Sequence, residues 1–266
     1  MSAILGKNGK PMRWIADMYT TPAHDSRPKE VLVCTDADVA AQVADFIVRE
    51  MKQNPFTEVG RKITEANSYD PEEQAKEWNA LPWYAKFGGP PNFGSIAAGK
   101  KSAAYVLWAE RVAPEHKWDH KPQIKKLLSD RGGEKLFNNG WHKYGQHDYF
   151  YDIWSNIHYG YVGAAVGFDA AELINGAGLA QIGSDAYRDM NGKKWPAMQN
   201  HPENGPWPAS ADDIPDHISI QLGIDLFARV IPGALTTDLL LGSVAAVPVP
   251  WGKGQDHAKE MHRCAR

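Results

Sequence analysis

The chain has 266 residues, 43% of them hydrophobic, with 29 Lys and Arg against 32 Asp and Glu and a formal net charge of −3. That length suits one large domain or two small ones, and the apolar share supports a real core. The charge excludes a chain that grips nucleic acid by its overall field, while leaving room for a local basic patch. Ten tryptophans are a high share, which puts several aromatic side chains part-buried or along a groove. Cys34 and Cys264 are far apart and do not read as a disulfide framework. No apolar run of about 20 residues occurs, so no stable membrane span is expected. The segment MSAILGKNGKPMRW lacks the apolar stretch of a cleaved signal, so export would use another route.

Residues 1–30 are expected to be an irregular N-terminal segment, broken by Gly6, Gly9, Pro11, Pro22 and Pro28. Residues 31–34 read as a short strand or as the lead into the first helix. Thr35 as N-cap with Asp38 three residues on predicts a helix over 36–54. Val39, Val43, Phe46, Ile47 and Met51 form its apolar stripe, and Pro55 stops it. A more polar helix is predicted over 57–67. Another starts at Pro71 behind Asp70 and stops before Pro82. FGGPPNFGS, 87–95, is a loop, and a helix follows from 95 or 96 to 112.

The polar patch 114–128 contains Trp118-Asp119-His120-Lys121-Pro122, which sets a carboxylate, a group titrating near neutrality and a fixed cation side by side. Pro122 marks a helix start that could gather them. The plainer alternative makes Asp119 an N-cap and leaves His120 exposed. A short helix to about 128 and a Gly- and Asn-rich connection over 129–146 follow.

The stretch HDYFYDIWSNIHYGYVGAAVG, 147–167, is the organising segment. As a helix it places His147, Tyr151, Ser155 and His158 on one stripe and Asp148, Asp152 and Asn156 on the next. Phe150, Ile153, Trp154 and Ile157 make the apolar side. Strict alternation, the mark of a strand, is absent. Asp169 caps a short helix ending near Gly176, and another begins near Gly178. Residues 191–217 form a long loop with five prolines, more often a rim, lid or binding surface than filler. Core helices over 218–227 and 235–247 precede a polar tail. The fold class is therefore mainly α: a single large helical domain over 31–250 with long loops and a few short strands, and a polar C-terminal tail over 251–266.

GxGxxG after a strand, GxxxxGK[ST], HExxH, CxxC and GxSxG are all absent, so no nucleotide site and no metal or other cofactor is expected. His147, His158 and Asp152 could approach a metal, but helix neighbours so spaced are not a specific signature. Ser155 as a nucleophile beside His158 is weaker still.

WDHKP at 118–122, YDIWSNIHYGYVG at 151–163 and FDAAELINGAGLAQIGSD at 168–185 resemble the bacterial polymorphic toxin type 44 family, over about 31–189. The resemblance implies an antibacterial effector carried by contact-dependent or type VI secretion and neutralised by a cognate immunity protein. It implies ribonuclease activity and marks Asp119, His120, Lys121, Asn156 and His158 as site residues. It does not reach the residues from about 190 onward.

Two mechanisms compete. In a ribonuclease, one of His120 and His158 removes the ribose 2′ proton and the other protonates the leaving oxygen. Lys121 stabilises the phosphate and Asn156 orients it, with no metal. In a peptidoglycan glycosidase acting in the periplasm, the carboxylates are chosen from Glu50, Asp119, Asp148 and Asp152. Glu50 at the end of a long helix, and the run Gly178 to Ile182, resemble features of lysozyme-like hydrolases. Tyr151, Trp154, Tyr159 and Tyr161 are the expected substrate contacts. A third reading makes 218–249 membrane-disrupting, or the chain a binding module. The expected site of action is inside a target bacterium: its cytoplasm for RNA, its periplasm for the wall. Both enzymatic readings require residues 119–121 and 147–158 to face one solvent-reachable hollow.

Overall fold

A computed structural model describes residues 13–16, 30–33, 36–132, 137–191 and 199–263, with side chains over 36–132, 137–187 and 199–263. Among these residues there are nine helices: α1 (Val39–Gln53), α2 (Glu58–Asn67), α3 (Pro71–Ala80), α4 (Phe93–Val112), α5 (Lys121–Gly132), α6 (Ile153–Ala165), α7 (Ala170–Asn191), α8 (Ile214–Arg229) and α9 (Thr237–Ala246). Three small antiparallel sheets accompany them. β1 (Arg13–Ala16) pairs with β2 (Glu30–Val33), and β5 (Gly252–Lys253) with β6 (Asp256–His257). The third sheet has the order β3 (Trp141–Tyr144), β4 (His147–Phe150), β7 (Lys259–Met261). The fold is mainly α.

The amphipathic pattern of α1 does what its spacing predicts. Val39, Val43, Ile47 and Met51, with Ala40, Ala44 and Val48 beside them, are all buried. Fully burying one such large side chain contributes roughly 1.5–3 kcal/mol. The helix starts later than expected. Asp38 occupies the N-cap without a side-chain cap bond. Its carboxylate instead receives Lys143 Nζ and the Gly145 amide, tying α1 to the β3–β4 hairpin. The expected cap Thr35 and both cysteines lie outside the described residues.

Asp70 caps α3 as its sequence suggests, accepting from the Glu72 and Glu73 amides. Thr57 caps α2 and Thr236 caps α9 in the same way. Each such cap satisfies backbone donors that the helix itself cannot pair.

The core is built where α6 passes between α1 and α8. Ile153, Trp154, Ile157, Tyr161 and Val162 of α6 are fully buried. α6 and α8 meet backbone to backbone. A Cβ at Gly160 would fall 2.1 Å from the Ile220 carbonyl oxygen, and one at Gly223 would fall 2.2 Å from the Ile157 carbonyl oxygen. Only glycine fits at both crossing points.

Four sequence expectations are corrected. Residues 147–150 are strand β4, not the first turn of a helix, and His147 therefore leaves the stripe shared by Ser155 and His158. The hairpin turns through Gly145, whose φ of 60° suits glycine. In the middle of each strand two successive residues are buried, His142 with Lys143 and Asp148 with Tyr149. Both faces are covered, so no apolar alternation shows. The helix after Asp169 is one element, α7, rather than two. Part of the region read as irregular forms β1, and the region read as a polar tail supplies β7 to the central sheet and buries Trp251, Ala258 and Lys259.

Candidate functional site

The WDHKP turn, the start of α6 and the start of α8 converge. Asp119 ends the turn by capping α5: its two oxygens accept from the Lys121 amide at 3.1 Å and the Glu115 amide at 2.8 Å. Both oxygens thereby have a structural task in the turn. Trp118 is buried edge-on against Trp108. With its two neighbours fixed, His120 turns inward and Lys121 turns towards the helix starts.

Lys121 Nζ lies 4.0 Å from Asp152 at the head of α6 and 3.9 Å from Asp216 in the first turn of α8. Asn156, one turn along α6 from Asp152, stands beside Asp216 and holds its carboxyl down in part, while its Nδ2 makes no well-formed bond to a protein acceptor. Asp212 and Asp213 lead into α8 and add two more carboxylates, and one oxygen of Asp212 is buried without a partner. The side chains of Asp152 and Asp216 keep 20% and 18% of their surface exposed and that of Lys121 keeps 36%, so this group reaches solvent.

Its electrostatics follow from burial and crowding. Burial, then Asp216, pushes Asp152 up to about 7 against the pull of Lys121. Burial, then Asp216 and Asp213, pushes Asp212 up to about 8. Asp216 is raised as well, by burial and by Asp213, with Lys121 opposing. Burial acts to lower Lys121, but Asp216 and Asp152 outweigh it and the net shift is upward. One ammonium among four carboxyl groups leaves room for a proton to stay on a carboxyl near neutrality.

Behind this open group sits a closed one. The rings of His120 and His158 touch edge to face with centroids 4.2 Å apart, and both residues are 0% exposed. Burial lowers both, with Glu50 partly restoring His120, and His120 further lowering His158. Asn54 Nδ2 is 2.8 Å from His158 Nε2 and 3.3 Å from a Glu50 carboxylate oxygen. Glu50, at the end of α1, thus faces the pair as a neighbour of Asn54. Phe46 packs edge-on against His120. Ser155 Oγ accepts the His120 amide and so holds the turn.

The expected hollow is therefore divided. His120 and His158 do come together, but away from solvent, where they cannot serve as an exposed acid and base. Lys121, Asp152 and Asn156 share the open group. Asp148 belongs elsewhere: it is buried in β4 against His262 Nδ1 at 2.9 Å, with Asp36 3.0 Å from His262 Nε2. Of the four expected aromatic contacts, Tyr151 borders the open group, close enough to feel Lys121 and Asp152, and Tyr159 is close enough to feel Asp212. Trp154 and Tyr161 are fully buried, and the Tyr161 hydroxyl donates to the Val230 carbonyl. Tyr159 lies against Trp108 and donates to the Leu173 carbonyl. Trp154 and Tyr161 are core residues, and Tyr159 packs against the core from its edge.

Among the described residues no cluster of three or more His, Cys, Asp or Glu side chains is arranged to hold a metal ion, and no helix is long and apolar enough to cross a membrane. Asp212, Asp213 and Asp216 escaped the sequence reading. Their only signal was ADDIPD, three aspartates around a helix-starting proline. Asn54, in the first helix's stop signal, escaped it too.

No curated protein and no solved structure matches the chain. A family model described as Bacterial toxin 44 matches residues 107–229, from within α4 to the end of α8. That span starts later than the resemblance seen in the sequence and runs on through 190–229, the part left unplaced. It contains the whole open group and both histidines, and leaves out Glu50 and Asn54. The match covers 123 of the 266 residues, just under half of the chain, and makes the chain similar to that bacterial toxin family over 107–229.

Proposed function

We propose that this protein is a bacterial toxin and a hydrolase working by carboxylate acid–base chemistry at Asp152 and Asp216, and that its substrate is the glycan of the bacterial wall. One observation carries the reading: two partly exposed carboxyl groups, on two helices locked together by glycine, share one lysine nitrogen at 4.0 and 3.9 Å. Their oxygens are then no more than about 8 Å apart, an upper bound compatible with the roughly 5–9.5 Å separations of paired glycosidase carboxylates. Asp152, pushed up to about 7, carries a proton in a useful fraction of molecules near neutral pH and acts as general acid towards the leaving oxygen. Asp216, held by Lys121 and Asn156, acts as the ionised partner. Lys121 keeps the two carboxyl groups from repelling each other apart, and Tyr151 offers a ring at the edge.

RNA suits this site less well. A phosphate would meet Asp152, Asp212, Asp213 and Asp216 with a single lysine to offset them. The histidines that would do the chemistry are sealed off and lowered. An uncharged glycosidic bond meets neither obstacle. On this reading the protein is delivered by a carrier or secretion apparatus, acts in the periplasm of its target and is held in check by an immunity protein in its producer.

The test is digestion of purified wall sacculi, with release of reducing ends as the readout, beside bulk RNA as the competing substrate. Asp152→Asn and Asp216→Asn should each lower glycan release by about 10²–10⁴-fold while leaving the fold intact. Degradation of RNA with sacculi untouched would sink the proposal.

A further inference from the structure

The closed group contains more information than its burial. Gln123 Nε2 donates to the carbonyls of Lys117 at 2.9 Å and Asp119 at 3.4 Å, which fixes the amide and leaves Gln123 Oε1 as an acceptor. His120 Nδ1 lies 3.3 Å from that oxygen, so the His120 proton sits on Nδ1 and its Nε2 is a bare acceptor. At the other end the Glu50 carboxylate fixes the amide of Asn54, because only the NH2 side can face it. Asn54 Nδ2 then donates to His158 Nε2, and the His158 proton must sit on Nδ1. What remains is one spare donor, His158 Nδ1–H, and one spare acceptor, His120 Nε2. Both are buried without another protein partner, on rings that touch.

We infer that Asn54 and Gln123 are positioning residues, which lock His120 and His158 as a matched pair of neutral Nδ1–H rings, and that this pair seats Lys121 over Asp152 and Asp216. A small rotation of either ring joins the spare donor to the spare acceptor. The result is one directional chain: Asn54 to His158 to His120 to Gln123. An added proton has no place in it. On His120 it would set N–H against N–H. On His158 it would displace the Asn54 donor. The charged groups facing the pair are Glu50 from α1 and Asp119 from the turn, neither of which meets the two spare nitrogens. Because His120 and Lys121 are adjacent in the turn, opening the pair moves Lys121 off the carboxylates. The reading rests on the proposed hydrolase only for its effect on activity.

Long-range nitrogen–proton correlation spectra of the histidine rings in the full chain test this without any substrate. Near neutral pH, His120 and His158 should both be neutral with the proton on Nδ1, and on acidification both signatures should vanish together. Either ring found charged or protonated on Nε2, or independent titration of the two, would overturn the inference. Asn54→Ala should release His158 to a mixture of tautomers. Gln123→Met, at a half-exposed helical position, should do so for His120 and serves if the first variant does not fold. Unchanged tautomers in both would also count against it. On sacculi, the acid limb of activity in Asn54→Ala should move to about tenfold lower proton concentration. If sacculi are not digested at all, the hydrolase proposal fails while the ring spectra still decide this one.

Discussion

His120 and Lys121 are neighbours in the chain, yet they belong to regions governed by opposite rules. His120 joins a sealed cluster in which burial strips protons from two histidines. Lys121 joins an open cluster in which burial and crowding load protons onto carboxyl groups. Desolvation does both, because it disfavours whichever form carries charge. The sealed group avoids the cost of a buried charge by staying neutral. The open group holds like charges close together, a cost that a purely structural cluster would have no reason to bear. The difference is the physical basis for placing chemistry at Asp152 and Asp216 and support at the histidines.

That division can be broken from the sealed side first. His158→Ala leaves a cavity and strands Asn54, so it should cost about 2–4 kcal/mol of unfolding free energy, read by denaturant titration. A neutral outcome would return His158 to the list of catalytic candidates. The open side should respond in the opposite sense. A carboxyl raised in the fold binds its proton more tightly there than in the unfolded chain. Its stabilising contribution is therefore fully present below the ordinary value of 3.8 and lost as pH rises through about 8 for Asp212. Asp212→Asn should accordingly stabilise the protein by about 1–3 kcal/mol at alkaline pH and by almost nothing near the ordinary carboxylate range. The histidines follow the reverse rule: lowered from 6.5, their contribution is present above that value and fades as pH falls. Above 6.5 only the carboxyl loss remains, so melting temperatures should fall from there to about pH 8, and Asp212→Asn should flatten that fall. The smallest effect is at the turn between the regions. Asp119→Ala removes the cap of α5 and should cost about 1 kcal/mol, with wall digestion reduced only as far as Lys121 is loosened.

Much of the helical frame was legible because its signals are local. The stripe of α1, Asp70 before Pro71, and Pro55 as a stop each act within a few residues. β4 was not legible, because its buried residues alternate with nothing: Asp148 and Tyr149 are adjacent and both enclosed. Only the strand β7, more than a hundred residues later, explains why. The site was half legible for the same reason. Lys121, Asp152 and Asn156 stand in motifs that draw attention by themselves. Asp212 and Asp216 sit in a proline-rich stretch, and only the approach of α8 to α6 gives them a lysine to share. Likewise nothing local links Asn54 to His158, which are joined across the core by the packing of α1 on α6.

The glycine pair at the α6–α8 crossing has a consequence for engineering. Asp152 and Asn156 ride on one helix and Asp216 on the other, so the two missing side chains act as a caliper that sets the gap between the carboxyl groups. A methyl group at Gly223, which would meet the Ile157 carbonyl oxygen at 2.2 Å, opens that caliper without touching any group in the site. Stepping its jaws apart in this way offers a dial on the proposed activity that leaves every polar atom in place.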